Sequence, residues 1–139
     1  MTNSSSLIDS LEVYVLNNPE EVTPHWVSHF IVPTANELLI KIKNKDGNSG
    51  FGLATSYTDI SPLVKPFSNG IADLIIGEDP FSPEKLYEKI FKLTDTRISS
   101  EKGWSREALI RISAALDIAC WDLMGKASNI PLYKLFGGY

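Results

Sequence analysis

Cysteine is almost missing from this chain: Cys120 stands alone among 139 residues, so no intrachain disulfide can form. Basic charge is short as well. Thirteen Lys and Arg against seventeen Asp and Glu leave a net charge of −4, which argues against nucleic acid, a partner that favours a basic face. No apolar run approaches the ~20 residues needed to cross a bilayer, so no membrane contact is expected. The opening Met1-Thr-Asn-Ser-Ser-Ser6 has neither the basic start nor the apolar core of a secretory signal. Residues 1–6 read as a disordered leader, and the expected compartment is the cytoplasm.

Groups that do chemistry are equally sparse. The only histidines, His25 and His29, are four apart, a spacing that on a helix would set both rings on one face for zinc. Pro24 and Pro33 flank them, however, and the stretch has no helical period, so no metal site is expected. Gly50-Phe51-Gly52 lacks the third glycine of a phosphate loop. Asp117 and Asp122 are five apart on one helix, on different sides, and cannot converge on one atom. They are expected to accept hydrogen bonds or pair with cations where layers meet. Trp121 reads as a core wedge and Cys120, on an apolar stripe, as a buried structural thiol. No catalytic residue is assigned.

What the chain does contain is periodic apolar surface. Leu7, Leu11, Val13 and Val15 alternate with Ser10, Glu12 and Tyr14, and Leu38, Ile40 and Ile42 alternate with Lys41 and Lys43. Both patterns predict half-buried strands. Asp46-Gly47 supplies a turn with positive φ, so the second strand and Phe51 to Tyr57 should form an antiparallel hairpin. Helices should follow. One is capped by Asp59 or Ser61 with Pro62 near its start and ends at Asn69-Gly70. Ile71 to Ile76 make a further turn or two, stopped by Gly77. Another helix begins at Ser82-Pro83-Glu84, with a hydroxyl cap, and buries Leu86, Ile90, Leu93 and Phe91. The predicted fold class is α+β: a three-stranded antiparallel sheet followed by a helical layer. At this length the chain is one domain.

The last helix, starting near Ser105, is too apolar for a surface. Leu109, Ile112, Leu116, Ala119, Cys120 and Leu123 form one stripe, and Ile110, Ala114, Ile118 and Trp121 a second on nearly the opposite side. Glu107, Arg111, Asp122 and Lys126 fill one strip between them. A rim helix needs one apolar face; two faces predict packing between two bodies.

The run Ala115-Leu-Asp-Ile-Ala-Cys-Trp-Asp-Leu-Met-Gly-Lys126, followed by Ile130-Pro131-Leu132 and Leu135-Phe136-Gly137-Gly138, resembles the end of the N-terminal capping domain of the enolase superfamily, mandelate racemase/muconate lactonizing enzyme type. Ile75-Ile76-Gly77-Glu78-Asp79-Pro80 and the strand pair around Gly50-Phe51-Gly52 fit the same pattern. The resemblance covers roughly residues 7 to 139. It implies a capping domain over 7–127, with 128–139 beginning the connection to a (β/α)-barrel that these residues do not include. In such enzymes the barrel carries a Lys or His base and Mg²⁺, so the resemblance places Mg²⁺ and the catalytic groups outside this chain, which alone should be inactive.

The segment Asn17 to Asn36 is long for a connection between strands, and long loops often serve function. Its aromatic and polar residues suit either covering a ligand or docking on the domain's own core. In the resembled family this loop, here about Asn17 to Pro33, and the one after the third strand, here Ala54 to Asp59, close over the barrel mouth. Where many members carry an acid soon after the glycine matching Gly52, this chain has Leu53-Ala54-Thr55. The implied substrate contacts are His25, Trp26, His29, Thr55 and Tyr57. The implied function is the lid of an enzyme that abstracts the proton alpha to a carboxylate: a racemase, dehydratase or cycloisomerase acting on an acid sugar or hydroxy acid. The implied partners are the barrel and a small carboxylate substrate; without a barrel, one apolar stripe of the long helix and Leu132-Tyr133-Lys134-Leu135-Phe136 lose their cover and predict association with further copies of the chain. The alternative is a stand-alone interaction or oligomerisation module.

Overall fold

Alternating apolar residues build the first layer. The computed structural model describes residues 5–17, 24–32 and 36–139. Strands β1 (Ile8–Leu16), β4 (Asn36–Asn44) and β5 (Ser49–Ser56) form one antiparallel sheet in the order β1-β4-β5. Gly47, at φ 89°, makes the tight turn between β4 and β5 as Asp46-Gly47 predicts. Leu38, Ile40 and Ile42 point inward and are fully buried. The sheet begins one residue later than the pattern suggests, at Ile8, where a register shift between Ile8 and Ser10 turns Ile8 into the core. Val15, expected inside, is exposed near the strand's end.

The helical layer is α1 (Ser61–Ser68), a short 3₁₀ turn at Ala72–Leu74, α2 (Pro83–Lys92), α3 (Thr96–Lys102), α4 (Arg106–Ser128) and α5 (Leu132–Leu135). Helix α4 lies across the sheet's inner face and against α2. Its first predicted stripe, Leu109 to Leu123, is wholly buried. Close approach depends on two glycines. A Cβ on Gly50 would sit 1.9 Å from the Ala119 carbonyl oxygen, and one on Gly52 1.8 Å from that of Ala115. Glycine is therefore required where the strand touches the helix backbone.

Several local expectations are corrected. Ile60 occupies the cap position of α1, although the Asp59 carboxylate still accepts the Ser61 N–H at 3.1 Å. The Ser82 hydroxyl makes no cap bond to α2. Phe91 is exposed and stacks on Tyr87, four residues earlier, at 5.5 Å between ring centroids. Trp121 is half-buried, tilted against Phe136 at 4.7 Å, and lies outside the core. Helix α3 is an addition to the sequence reading. Among the described residues no helix is long and apolar enough to cross a membrane.

Candidate substrate-facing end of the sheet

Strand register brings the two candidate lid segments to one place. Leu16, the end of β1, lies opposite Glu37 of β4; Asn36, the start of β4, lies opposite Ser56, the end of β5. The segment between β1 and β4 thus leaves and re-enters the sheet at the end where 54–59 departs. Asn36 ties the two by donating from Nδ2 to the Thr58 carbonyl at 2.9 Å.

Arg111 of α4 organises the departing segment. Its Nη1 donates to the Thr55 carbonyl, its Nη2 pairs with Glu107 at 2.6 Å, and its guanidinium lies 5.7 Å from the Tyr57 ring centroid. Thr55 is half-buried and Tyr57 exposed. Next to them Ser56, Thr58, Asp59, Glu107 and Arg111 line a cleft of about 80 Å³. The Asp59 carboxyl is held below the usual carboxylate range by the Ser61 backbone N–H and hydroxyl. A wider recess of about 550 Å³ adjoins it, with Ile60, Pro62, Val64 and Lys65 along its wall.

The other candidates occupy a separate ribbon. Strands β2 (His25–Val27) and β3 (Phe30–Val32) pair antiparallel inside what the sequence presents as a plain loop. Residues 18–23 and 33–35 of that segment lie outside the described residues. His25 stands opposite Val32 and Trp26 opposite Ile31. The Trp26 side chain is 71% exposed, so it is not docked on the core. His29 is exposed in the turn, next to Ser28 at φ 51°. A strand and a turn cannot give the two histidines the same-face geometry of a helix. Common origin at one end of the sheet relates this ribbon to Thr55 and Tyr57; no hydrogen bond or ring contact between the groups occurs among the described residues.

Sequence reasoning missed Arg111 as a site residue. The signal was present in the strip Glu107, Arg111, Asp122 and Lys126. A strip of charges on a helix that is otherwise apolar marks where that helix meets polar backbone.

Two further groups on α4 are shifted by burial. Burial raises the Asp117 carboxyl above its usual range, Glu84 adds to this, and a hydrogen bond from Trp121 opposes it. The Cys120 thiol is pushed up to about 12 by burial first and then by Asp117 and Asp79, so it stays protonated at neutral pH. Among the described residues no three His, Cys, Asp or Glu side chains converge on a metal position. These residues therefore do not fit a magnesium ion, and no step through one is assigned to them.

A three-stranded sheet, a helix crossing it and loops gathered at one end define an α+β fold shared with a magnesium-bound racemase from Streptomyces coelicolor A3(2). The TM-score is 0.71 at 24% identity, over 96% of this chain and 34% of that one. Residues 10–137 match the mandelate racemase / muconate lactonizing enzyme N-terminal domain, and the chain belongs to that family. It is 30% identical over 131 residues to a D-gluconate/D-galactonate dehydratase of Picrophilus torridus, covering 94% of this chain and 30% of the relative. It is 32% identical over 114 residues to a hydrophobic dipeptide epimerase of Enterococcus faecalis, covering 78% of this chain and 28% of the relative. The chain thus spans under a third of the length of these curated relatives.

Proposed function

We propose that residues 7–127 are the lid of a metal-dependent enzyme that removes the proton alpha to a carboxylate, with residues 128–139 leading toward a (β/α)-barrel outside these 139 residues. The observation that carries this reading is the convergence of the 17–36 and 54–59 segments at one end of the sheet. The second stripe of α4 supports it: Ile110 and Ile118 are exposed here, as are Tyr133 and Phe136 beyond the helix, leaving an apolar face for a barrel to cover. The sugar-acid dehydratases and the epimerase among the relatives support a dehydratase or racemase; the reading also admits a cycloisomerase and a hydroxy-acid substrate, sets the enzyme in the cytoplasm and gives Mg²⁺ to the barrel.

The physical logic is charge control. Taking a proton from beside a carboxylate adds negative charge to an anion, which a divalent cation offsets. A lid that excludes water strengthens every such interaction. This chain's part is enclosure and selection. Trp26, His29 and Tyr57, then His25 and Thr55, combine apolar area with a hydrogen-bonding tip that can orient the far end of a substrate.

The test substitutes Trp26→Ala and His29→Ala in the enzyme that joins these residues to a barrel. Each should change the ratio of kcat/KM between two acids differing only at their distal ends, by roughly the 1–3 kcal/mol of a lost buried hydrogen bond. Metal affinity should stay unchanged. Parental ratios in both variants would remove these residues from the site. Residues 1–139 alone should show no Mg²⁺-dependent proton exchange with solvent; exchange would refute the assignment of base and metal ligands to the barrel.

A further inference from the structure

The face of the sheet turned away from α4 has an order that neither the lid reading nor the core explains. Directly opposed residues make four rows across β1, β4 and β5: Ser10, Lys43, Ser49; then Glu12, Lys41, Phe51; then Tyr14, Leu39, Leu53; then Leu16, Glu37, Thr55. Tyr14, Leu16, Phe51 and Leu53 are all exposed large apolar side chains. Two lysines of β4 flank this apolar centre on one side and Glu37 flanks it on the other. Glu12 of β1 pairs with Lys41 in its row, so the lysine end carries two cations and one anion against the single Glu37 at the other end.

We propose that this outer face is the contact between two copies of the chain, related by a twofold axis that crosses the strands at Leu39. A closed dimer uses the same patch on both copies. For two sheets packed face to face, the axis lies between them and runs either along the strands or across them. Running along the strands, it sets Lys41 against Lys41 and Glu37 against Glu37, and both contacts repel. Running across the strands, it sets Tyr14, Leu39 and Leu53 against their own copies and Lys41 against Glu37. The second arrangement brings the β4 charges together as opposites, and it sets Glu12, which stays paired to Lys41, beside Leu16 of the second copy. Lys41 keeps its in-chain partner Glu12, 3.3 Å away, and gains a second carboxylate. Strands of the two copies run antiparallel, within the ~30° offset of aligned sheet packing.

The patch also sets the strength. Three strands ~4.8 Å apart and four rows ~6.8 Å apart cover about 400 Å². A standard interface buries about 800 Å² per partner, so the dimer is reversible and grows with concentration. Thr55 then meets Phe51 of the second copy, which leaves Tyr57 as the contact this segment offers a substrate. This contact needs no turnover, and where it forms it takes Thr55 out of the proposed substrate contacts while leaving Trp26, His29, His25 and Tyr57 in them.

Cysteine cross-linking tests it on the full chain, because Cys120 is fully buried and an introduced thiol is the one that reacts. Sheets packed face to face lie ~10 Å apart, so Leu39→Cys, on the axis, should couple to its own copy through a short bis-maleimide. Lys43→Cys, two rows away and more exposed than Leu39, should not couple, because its copy lies roughly 27 Å off. Coupling of both variants would put the axis along the strands, and coupling of neither would move the contact elsewhere; either result overturns the proposal. In sedimentation, Glu37→Lys should raise the dimer dissociation constant at least about tenfold, because the twofold axis makes two Lys41–Glu37 pairs and the substitution turns both repulsive. Adding Lys41→Glu should recover most of that. An unchanged constant in Glu37→Lys also overturns it. None of these readouts needs turnover, so their failure leaves the lid assignment standing.

Discussion

The backbone N–H of Phe51 donates to Oδ2 of Asp122 at 2.9 Å, joining the free edge of the sheet to the long helix 71 residues further on. The same carboxylate oxygen holds Lys126 at 2.6 Å, and the Lys126 ammonium sits 4.7 Å from the Phe51 ring centroid. Three turns earlier Arg111 donates to the Thr55 carbonyl on the same edge. The charged strip of α4 thus does for β5 what a fourth strand would do.

Asp122→Ala should orphan the Phe51 N–H and release Lys126, at a cost of about 1–2 kcal/mol. Asp122→Asn keeps an acceptor and loses only the charge, so it should cost less than half as much. Urea unfolding of the two variants separates the contributions. Equal losses would mean that the ion pair, and not the edge bond, holds the helix there.

Gly50→Ala and Gly52→Ala should each displace α4, since the new methyl would overlap a helix carbonyl. Overpacking of this kind costs about 1–3 kcal/mol or more. Gly47→Ala meets nothing within 4 Å but keeps φ 89°, so it should cost only about 1 kcal/mol of backbone strain. A thermal melt ranking Gly47 as the worst of the three would contradict the close-approach reading.

Glu78 gives the fold an acid limit. Its carboxylate binds Lys89 and lies 3.1 Å from Lys85, and the Lys89 bond, against the opposing effect of burial, holds its pKa below the ordinary value. A depressed carboxyl contributes stability that is present above its unfolded pKa of ~4.3 and lost as pH falls through the lower folded value. Glu78→Gln should therefore lower stability at pH 7 by on the order of 1 kcal/mol and by progressively less below pH ~4. Parallel pH profiles for the two proteins would exclude this role.

Arg111→Ala should loosen 54–59 without unfolding the domain, because it removes a tie to the Thr55 carbonyl and the cation beside Tyr57. Hydrogen exchange should speed up in that segment and stay slow in Leu38 to Ile42 and Ile112 to Leu123. Uniform acceleration across all three would make Arg111 a general stabiliser.

The sheet and the long helix were legible in the sequence because each carries its own period over many residues. Leu38 to Ile42 alternates in steps of two, and Leu109 to Leu123 repeats at helical spacing. Other parts rest on signals too short for a period. Helix α3 buries little, and Asp95 starts it by accepting the Arg97 N–H at 2.9 Å. The β2–β3 ribbon has three residues on each side and turns at Ser28, a residue that rarely adopts positive φ. Phe91 looks like core by composition, yet the i, i+4 spacing from Tyr87 gives it a partner on the solvent side. Of the site candidates, Thr55 and Tyr57 are joined through Arg111, a residue visible in the sequence only as a charge on an apolar helix.

Side chains of α4 occupy one border of the sheet, and Ile8 on the other exchanges backbone bonds with Gly77 and Glu78 at 2.8 and 2.9 Å. Among the described residues this leaves the stretch from Ser10 to Leu16 as the part of either border open to a new strand. A filament built strand upon strand consumes two open borders per molecule. Within the described part of the three-stranded sheet only this border is open, so a chance pairing through β1 uses up that border on both molecules and does not propagate through this sheet.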